Sequence, residues 1–141
     1  MTKVFIDTDI IIDYLADRRP FSDDAEVIFS LAHVKKLSLH VSSLSINNIH
    51  YIIRKLIGPA KALEAIRNLV DYVTIEAVGS TEIRNALEAG FGDFEDAIQN
   101  QTAIKIEGLM CIITRNVKYF KKSGIAVLSP DTFLKTYIQN P

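Results

Sequence analysis

The feature that most limits the fold is a regular alternation of short apolar runs with longer amphipathic segments. The apolar runs have the length of buried strands, and the segments between them carry apolar residues at the three- and four-residue spacing of helices. Parallel strands joined by helices need right-handed crossovers, which cover both faces of the sheet. The alternation therefore predicts an α/β fold, with three α/β/α layers and a mainly parallel sheet of roughly five strands. The expected strands are Lys3–Ile6, Leu37–Val41, Tyr72–Val78, Leu109–Thr114 and Ile125–Pro130.

The size and charge of the chain set further bounds. Its 141 residues fit a single domain, expected to span 1–141, and 48% hydrophobic residues can fill its core. Lys and Arg number 16 and Asp and Glu 17, so the net charge of −1 provides no overall field that attracts nucleic acid. Any nucleic-acid binding must then use a local basic patch. The single cysteine, Cys111, excludes an internal disulfide framework and is expected to lie in the core.

No segment predicts export or membrane insertion. The apolar run after Lys3 is interrupted at once by Asp7 and Asp9, which does not fit a signal peptide. No stretch approaches the roughly 18 apolar residues that span a bilayer. We therefore expect a cytoplasmic protein with no membrane association.

Polar residues follow the predicted strands at the points where the strands end. In open parallel sheets, ligands bind beyond the carboxyl ends of the strands, so these residues are the first candidates for a site. Asp93 and Asp96 add to them, because positions three residues apart project from the same side of a helix. The candidates that follow strands are Asp7, Thr8 and Asp9 after the first, Ser42, Ser43, Asn47 and Asn48 after the second, and Thr114, Arg115 and Asn116 after the fourth.

The residue types in this set favour a divalent metal. Neighbouring carboxylates raise one another's pKa unless a cation lies between them. Ligands that are all oxygen favour Mg²⁺ or Mn²⁺ over zinc, and Mg²⁺ needs only about two or three protein oxygens because it keeps most of its waters. Such a metal activates water and stabilises a phosphoryl oxygen. The set therefore predicts metal-dependent cleavage of a phosphodiester.

Each acid also has a simpler structural explanation. Asp7 can cap the helix that follows it, and Asp93 and Asp96 can face the positive end of a helix dipole without any ligand. Asn116 has the residue type of an ordinary turn or cap. For Asp13, we expect a position on a solvated helix surface. The functional interpretation therefore depends on the convergence of the whole set rather than on any one member.

Asp7 also allows a different chemistry, that of a phosphatase with an aspartate nucleophile, because Asp7, Thr8 and Asp9 form an acid-x-acid motif after a strand. That chemistry usually requires Thr or Val where this chain has Ile11, and no lysine motif accompanies it. The phosphatase therefore ranks below the metal-dependent nuclease.

Four segments, in order along the chain, resemble the motifs of the PIN domain family, which includes the toxin ribonucleases of bacterial toxin–antitoxin pairs. The first segment joins a strand to an aspartate and an apolar helix, the third opens a helix with two acids, and the fourth is a strand followed by a Thr-Arg-Asn turn. The resemblance runs the length of the chain and implies a PIN-like fold. The segments are FIDTDIIIDYL (5–15), SSLSINNIHYIIRK (42–55), GDFEDAIQNQTA (92–103) and CIITRNVKYFKKSGIAVLSPDTFL (111–134).

The resemblance implies an activity and a set of site residues. The implied activity is that of a metal-dependent endoribonuclease, the toxin of a toxin–antitoxin pair, which cleaves RNA with metal-activated water. The implied metal ligands for Mg²⁺ or Mn²⁺ are Asp7 and Asp96, with Asp93 beside them. Thr114 is implied to form a supporting hydrogen bond near the site, and Asn116 stands at the fourth acidic position.

Three positions depart from the family pattern. The second motif usually supplies a glutamate where this chain has Asn48, and the fourth often has an aspartate where this chain has Asn116. Each amide removes a negative charge from a site that must hold a dication, although an amide oxygen can still coordinate. Asp9 replaces a frequent asparagine, and it can restore one charge as a metal ligand beside the supporting Thr8. The departures leave an alternative open, a weakened or inactive PIN-like domain that binds RNA or a protein.

The resemblance further implies RNA as substrate, an antitoxin protein as partner and a homodimer as the usual assembly. Basic groups that flank the acids can hold phosphates on either side of the scissile bond, and Tyr119 can stack on a base. Lys and Arg near helix C-termini are also favourable without a ligand, so both explanations stay open. The RNA-binding candidates are Arg54, Lys55, Arg115 and Lys118, with Lys121 and Lys122 following in the fourth motif.

Overall fold

A computed structural model describes residues 1–139. Within this range, five strands form one parallel sheet, and seven α-helices and one 3₁₀ turn connect and cover them, which confirms the predicted three-layer α/β fold. No helix of residues 1–139 has both the length and the apolar character that a membrane span requires. In chain order the elements are β1 (Thr2–Ile6), α1 (Thr8–Leu15), α2 (Phe21–His33), β2 (Leu37–Ser42), α3 (Ser43–Ile57), α4 (Pro59–Val70), β3 (Val73–Glu76), α5 (Ser80–Glu88), α6 (Phe94–Ile104), β4 (Leu109–Ile113), the 3₁₀ turn (Val117–Phe120), β5 (Val127–Leu128) and α7 (Pro130–Gln139).

The order of strands across the sheet is β3-β2-β1-β4-β5, and every neighbouring pair is parallel. The chain places β2 and β3 on one side of β1 and then β4 and β5 on the other side, which creates a topological switch point beside the central strand. Phe5, near the end of β1, pairs with His40 on β2 and with Ile112 on β4. The carboxyl ends of these three strands therefore lie at one edge, where a crevice for a ligand is expected.

Alternation along the strands divides the core between the two faces of the sheet. Val4 and Ile6 belong to one face and Phe5 to the other, as the two-residue period of a strand requires. The first face packs against α1, α2, α3, α4 and α7 and forms the larger core, whereas the second packs against α6 and the 3₁₀ turn, where Phe120 is buried. Cys111 is fully buried in the larger core, as predicted, and burial raises the pKa of its thiol to about 12.

The passage from β2 into α3 has no intervening loop, which fixes the position of α3 at the carboxyl edge. Ser42 ends β2 and caps α3, because its Oγ accepts a hydrogen bond from the backbone N of Ser45 at 3.0 Å. Gly58 then separates α3 from α4 with a φ of +87°, a value that side-chain-bearing residues rarely adopt. Pro59 follows at the first position of α4, where its missing N–H costs no hydrogen bond.

Asp13 is buried, which contradicts the predicted solvated position. Only 1% of its side chain is exposed. Arg18 Nε donates a hydrogen bond to Asp13 Oδ1 at 2.9 Å, and Arg115 Nη2 donates to the same oxygen at 3.3 Å. Arg115 Nε also lies 2.8 Å from Asp13 Oδ2, within ion-pair range, although its N–H is not aligned for a hydrogen bond. Helical spacing assigned Asp13 to a face of α1, but it did not reveal that these two arginines cover that face.

The ion pairs of Asp13 join α1 to the turn that follows β4. Arg115 lies in that turn, and its guanidinium carbon is 3.9 Å from the centre of the Phe21 ring at the start of α2. Burial raises the pKa of Asp13, while the charges of the two arginines oppose the rise. Thr114 and Asn116 flank Arg115 in the chain, so the cluster holds two predicted site residues in place.

We expect Asp13→Ala to lower the free energy of unfolding by about 3 kcal/mol, because it leaves two guanidinium groups without their buried partner. Urea unfolding at neutral pH, followed by circular dichroism, measures this loss. Asp23→Ala is the matched control, since Asp23 pairs with Arg19 at the surface and exposed pairs contribute little. Equal losses in the two variants would contradict a structural role for the Asp13 ion pairs.

Candidate active site

A cavity of about 420 Å³ lies at the carboxyl edge of the sheet. It brings together side chains from the ends of β1 and β4 and from the helices α3 and α6, which are far apart in sequence. All four predicted metal-binding acids border this acidic cavity, together with the amides at the two departing positions. Its lining residues are Asp7, Thr8, Asp9, Asn48, Tyr51, Ile52, Asp93, Glu95, Asp96, Asn116 and Tyr119.

Asp7 is the most constrained acid of the cavity. It follows β1 and caps α1, and its Oδ1 accepts a hydrogen bond from the backbone N of Thr8 at 2.8 Å. Its Oδ2 accepts a second hydrogen bond, from Thr114 Oγ1, also at 2.8 Å. Burial raises the pKa of Asp7 to about 6 although both hydrogen bonds oppose the rise, and the charges of Asp9 and Glu95 add to it. Asp7 is therefore a helix cap and, at the same time, a buried carboxylate close to other acids.

Asp93 and Asp96 enter the cavity from the start of α6. Asp93 caps the helix, because its Oδ1 accepts a hydrogen bond from the backbone N of Asp96 at 2.9 Å. Burial raises the pKa of Asp96 to about 7, and the charges of Asp7 and Asp93 are the next largest causes. The two acids thus border the same cavity, as their spacing predicted, but Asp93 is exposed whereas Asp96 is partly buried.

Asp9, which follows β1, and Asn116, which follows β4, are hydrogen-bonded to each other. Asn116 Nδ2 donates a hydrogen bond to Asp9 Oδ2 at 3.2 Å, and Arg18 Nη2 lies 3.9 Å from Asp9 Oδ1. The backbone N of Asn116 donates to Thr114 Oγ1 at 3.0 Å, which links this pair to the hydroxyl that binds Asp7. Asp9, the additional acid of the first motif, and Asn116, the amide of the fourth, are therefore direct neighbours. Because Nδ2 of Asn116 is used in this hydrogen bond, its amide oxygen is the side-chain atom that can coordinate a metal.

Glu95 borders the same cavity and was missed by the sequence reasoning. Asn48 Nδ2 on α3 donates a hydrogen bond to Glu95 Oε1 at 3.1 Å. Neighbouring residues of a helix project about 100° apart, so the position of Glu95 next to Asp96 gave no reason to place both at one site. Only the packing of α3 beside α6 shows that the two acids share a cavity.

A buried hydroxyl and amide network supports the floor of the cavity. Gln99 Nε2 donates hydrogen bonds to Ser45 Oγ at 2.6 Å and to Thr8 Oγ1 at 3.1 Å, and the two hydroxyls are 2.8 Å apart. These contacts tie α6, α3 and α1 together directly beneath the acids. Gln99 and Ser45 were not singled out from the sequence. A signal was present, because Gln99 lies on the apolar face of α6 with Ile98 and Ala103, and a buried polar side chain normally has hydrogen-bond partners.

The predicted RNA-binding residues occupy different surroundings. Lys118 lines a second cavity of about 690 Å³, which shares Asp93, Asp96 and Tyr119 with the acidic cavity. Lys121 and Lys122 line the second cavity as well, so three lysines lie along one approach to the acids. We call this second cavity the lysine groove; its remaining lining residues are Gly90, Phe91 and Gly92.

The other predicted RNA contacts lie outside the lining of both cavities. Arg115 is engaged by Asp13 and Phe21, as described above. Arg54 and Lys55 are exposed in the last turn of α3, where Lys55 Nζ donates a hydrogen bond to Tyr51 Oη at 2.9 Å. Tyr51 lines the acidic cavity, so this hydrogen bond links Lys55 to the site indirectly.

The sequence matches the family model of the PIN domain over residues 3–118, a range that runs from β1 through β4. This chain belongs to the PIN domain family. The resemblance inferred from the four motifs is therefore confirmed. Among curated proteins, Ribonuclease VapC1 from Aquifex aeolicus (strain VF5) is 31% identical to this PIN domain over 140 residues, which cover 96% of this chain and 95% of that protein.

Solved structures share the fold at lower sequence identity. DNA-bound VapBC from Salmonella typhimurium superposes with a TM-score of 0.68 at 16% identity, covering 92% of this chain and 99% of that chain. VapBC2 from Rickettsia felis, bound to a DNA fragment from its promoter, gives 0.65 at 17% identity, covering 91% and 98%. VapC20 from Mycobacterium tuberculosis, a sarcin–ricin loop cleaving toxin, gives 0.62 at 17% identity, covering 77% and 86%. At these identities the likeness establishes the fold alone.

The donor set of this PIN domain fits a divalent cation that keeps several of its waters. Within residues 1–139, no group of three or more His, Cys, Asp or Glu side chains is arranged closely enough to hold an ion by itself. Mg²⁺, however, commonly binds through one or two carboxylates and completes its shell with water. Asp7 and Asp96 meet this requirement, because both border one cavity and the pKa of each is raised by burial and by neighbouring acids. A dication would remove part of that electrostatic cost.

We expect the metal-free protein to lose stability as the pH rises from about 5 to about 8. An aspartate of the unfolded chain titrates near pH 4, whereas the pKa of Asp96 is about 7, so the folded state binds more protons between these values. The stabilisation is complete below the unfolded pKa and is lost as the pH rises through the folded pKa.

Asp96→Asn removes this titrating group. Melting temperatures measured in EDTA should therefore fall less steeply with pH in the variant than in the wild type. The variant should also be the more stable protein at about pH 8, because its side chain stays neutral there. Parallel curves for the two proteins would contradict the raised pKa of Asp96.

Proposed function

We propose that this PIN domain is a metal-dependent endoribonuclease that acts as the toxin of a toxin–antitoxin pair. The observation that carries the proposal is the convergence of Asp7 and Asp96 in one cavity at the carboxyl edge of the sheet. Two buried or half-buried carboxylates with raised pKa values are costly to keep together unless a cation uses them. The relatives named above as a ribonuclease and as a sarcin–ricin loop cleaving toxin support the same activity.

The residues of the cavity take distinct roles in this proposal. Asp7 and Asp96 hold the Mg²⁺ or Mn²⁺ ion, which when bound lowers the pKa of water and stabilises charge on a phosphodiester oxygen. Thr114 fixes the orientation of the Asp7 carboxylate through Oδ2, and the backbone of Thr8 fixes it through Oδ1. Asp93 holds the first turn of α6 in place and so sets the position of Asp96.

Asp9 and Asn116 extend the polar rim of the proposed site. Asp9 adds a negative charge beside Asp7, and Asn116 restrains Asp9 through a hydrogen bond at 3.2 Å. A restrained carboxylate can position a water or a cation without adopting a new rotamer on binding. In the proposed enzyme, Asp9 therefore serves as the auxiliary metal ligand and Asn116 as the residue that holds it.

The lysine groove provides the proposed path for RNA. Lys118, Lys121 and Lys122 can each neutralise a phosphate, and phosphate contacts position a strand without reading its sequence. Tyr119 lies where the lysine groove and the acidic cavity meet, and 53% of its surface is exposed, so its ring is accessible for base stacking. Lys55 and Arg54 at the end of α3 are proposed to contact the strand beyond Tyr51.

An antitoxin partner, a homodimer and a cytoplasmic location belong to the same proposal. Support for the partner comes from the VapBC structures of Salmonella typhimurium and Rickettsia felis. Helix α3 also presents apolar side chains that the core does not cover, since Tyr51 is 61% and Leu56 is 56% exposed. Such side chains on one helix are suited to bind another protein chain.

A non-catalytic binding module is the second candidate. It is favoured by one observation, the amides of Asn48 and Asn116, which border the cavity at positions where the family resemblance implied acids. In this alternative the cavity binds RNA or a protein but holds no catalytic ion. The two candidates differ in the effect of divalent metal on an RNA substrate, which the following measurement uses.

We expect wild-type protein to cleave single-stranded RNA in Mg²⁺ or Mn²⁺ and to lose this activity in EDTA. Asp7→Asn and Asp96→Asn should each reduce the initial rate about 100-fold or more, because each removes a carboxylate that holds the ion. Asp71→Asn is the control, since Asp71 is an exposed aspartate at the end of α4. Equal residual cleavage in all four proteins would contradict the proposed enzyme and favour a contaminating nuclease.

A further inference from the structure

Two tyrosine side chains border the acidic cavity from different elements of the fold. Tyr51 projects from α3 and Tyr119 from the 3₁₀ turn after β4, and both line the cavity in which Asp7 and Asp96 converge. Tyr51 is 61% exposed and Tyr119 is 53% exposed, so a ligand can reach much of each side chain. Tyr119 also lines the lysine groove, whereas Tyr51 lies outside that lining. The cavity therefore offers two separate aromatic surfaces to whatever enters it.

A lysine lies against each of these rings. Lys55 Nζ is 4.1 Å from the centre of the Tyr51 ring and donates a hydrogen bond to Tyr51 Oη at 2.9 Å. Lys118 Nζ is 5.2 Å from the centre of the Tyr119 ring. Within residues 1–139, these are the two pairs in which a lysine lies over an aromatic ring, and both are at the acidic cavity. The helix dipole favours Lys55 at the end of α3 without any ligand, but it gives no reason for an exposed ring beside each lysine.

An aromatic ring next to an ammonium group matches the two parts of a nucleotide. The ring provides a surface on which a base can stack, and the ammonium can neutralise a phosphate of the same strand. Because the acids of the cavity repel phosphates, a strand that crosses it needs cationic contacts on more than one side. The lysine groove provides such contacts beside Tyr119, and Lys55 provides one beside Tyr51. Each Tyr–Lys pair therefore suits one nucleotide.

A protein partner is the other class of ligand that an exposed ring on α3 can bind. Leu56 of the same helix is 56% exposed and lies outside the lining of both cavities, so it suits a protein interface that does not contact the acids. Tyr51 differs from Leu56, since its side chain borders the acidic cavity and its hydroxyl is held by a cation. These contacts favour a ligand that carries both aromatic rings and negative charges, which is the composition of RNA.

We propose that Tyr51, together with Lys55, forms a second nucleotide subsite of this PIN domain, in which the Tyr51 ring stacks on an unpaired base. The inference rests on the proposed function, because it takes RNA as the ligand of the acidic cavity and adds to the stacking already proposed at Tyr119. The hydrogen bond from Lys55 restrains the ring before RNA arrives, which lowers the entropy lost on binding. Bases held on two separate rings must be free of a duplex, so the subsite selects single-stranded RNA.

The test measures RNA binding by fluorescence anisotropy, with the full chain in EDTA and at low salt. One labelled probe is a short single-stranded adenosine oligonucleotide, and a second probe of the same length keeps every phosphate but lacks the bases. We expect Tyr51→Ala to weaken binding of the adenosine probe about 10-fold and to leave binding of the abasic probe nearly unchanged, because only stacking on the ring is lost. Tyr51→Phe keeps the ring and should bind both probes nearly as the wild type does.

Tyr72→Ala is the matched control and should bind both probes as the wild type does. Tyr72 is 48% exposed and lines neither the acidic cavity nor the lysine groove. Circular dichroism of each variant checks that the fold is kept.

The outcomes separate this inference from the proposed function. A loss confined to the adenosine probe supports the subsite, even if the wild type cleaves no RNA in Mg²⁺, a result that would contradict only the proposed enzyme. Equal losses for the two probes overturn the subsite, because Tyr51 then acts by positioning Lys55. Unchanged RNA binding overturns it as well, including the case in which Tyr51→Ala only weakens self-association in ultracentrifugation. A wild type that binds neither probe overturns both the subsite and RNA as the ligand.

Discussion

The carboxylate of Asp7 at the end of the central strand is the constraint on which the site depends. It is buried, so it must be hydrogen-bonded, and Thr8 and Thr114 provide those bonds from α1 and from the turn after β4. The bond to Thr114 requires that turn to lie against β1. The ion pairs between Asp13 and Arg115 hold the same turn against α1. One buried acid therefore organises the site, and a second holds the elements that carry it.

The acids of the cavity repel one another, and this repulsion destabilises the folded protein without being required by the fold. Asp96 and Glu95 add negative charge beside Asp7, and the pKa values of Asp7 and Asp96 are raised as a result of burial and of these neighbours. The polar network of Gln99, Ser45 and Thr8 beneath them is neutral and offers no compensating charge. The clustered carboxylates thus lower stability but serve the proposed activity, and a bound dication would offset the repulsion between them.

The sequence predicted the fold, and it predicted that Asp7 lies near Thr114 and Asn116, because strand ends in a parallel sheet meet at an edge that topology determines. Asp96 opens a helix rather than following a strand, and its position beside Asp7 was implied by the resemblance to the PIN domain motifs. The sequence reasoning failed for Asp13, since periodicity assigns a residue to a face of a helix but does not reveal what packs on that face. It missed Glu95 for the same reason, because only the packing of α3 beside α6 brings Glu95 to Asn48. Local pattern thus located the site, whereas tertiary contacts decided which polar residues are engaged there.

The measurement that tests the central claim most directly is the anomalous scattering of a crystal grown with millimolar Mn²⁺. A cation that enters the cavity should produce an anomalous peak at coordination distance, about 2.1 Å, from oxygens of Asp7 and Asp96. It should not require any movement of the turn after β4, because Thr114 already fixes Asp7. A difference map with no peak in the cavity, or with manganese bound only at the surface, would contradict the account.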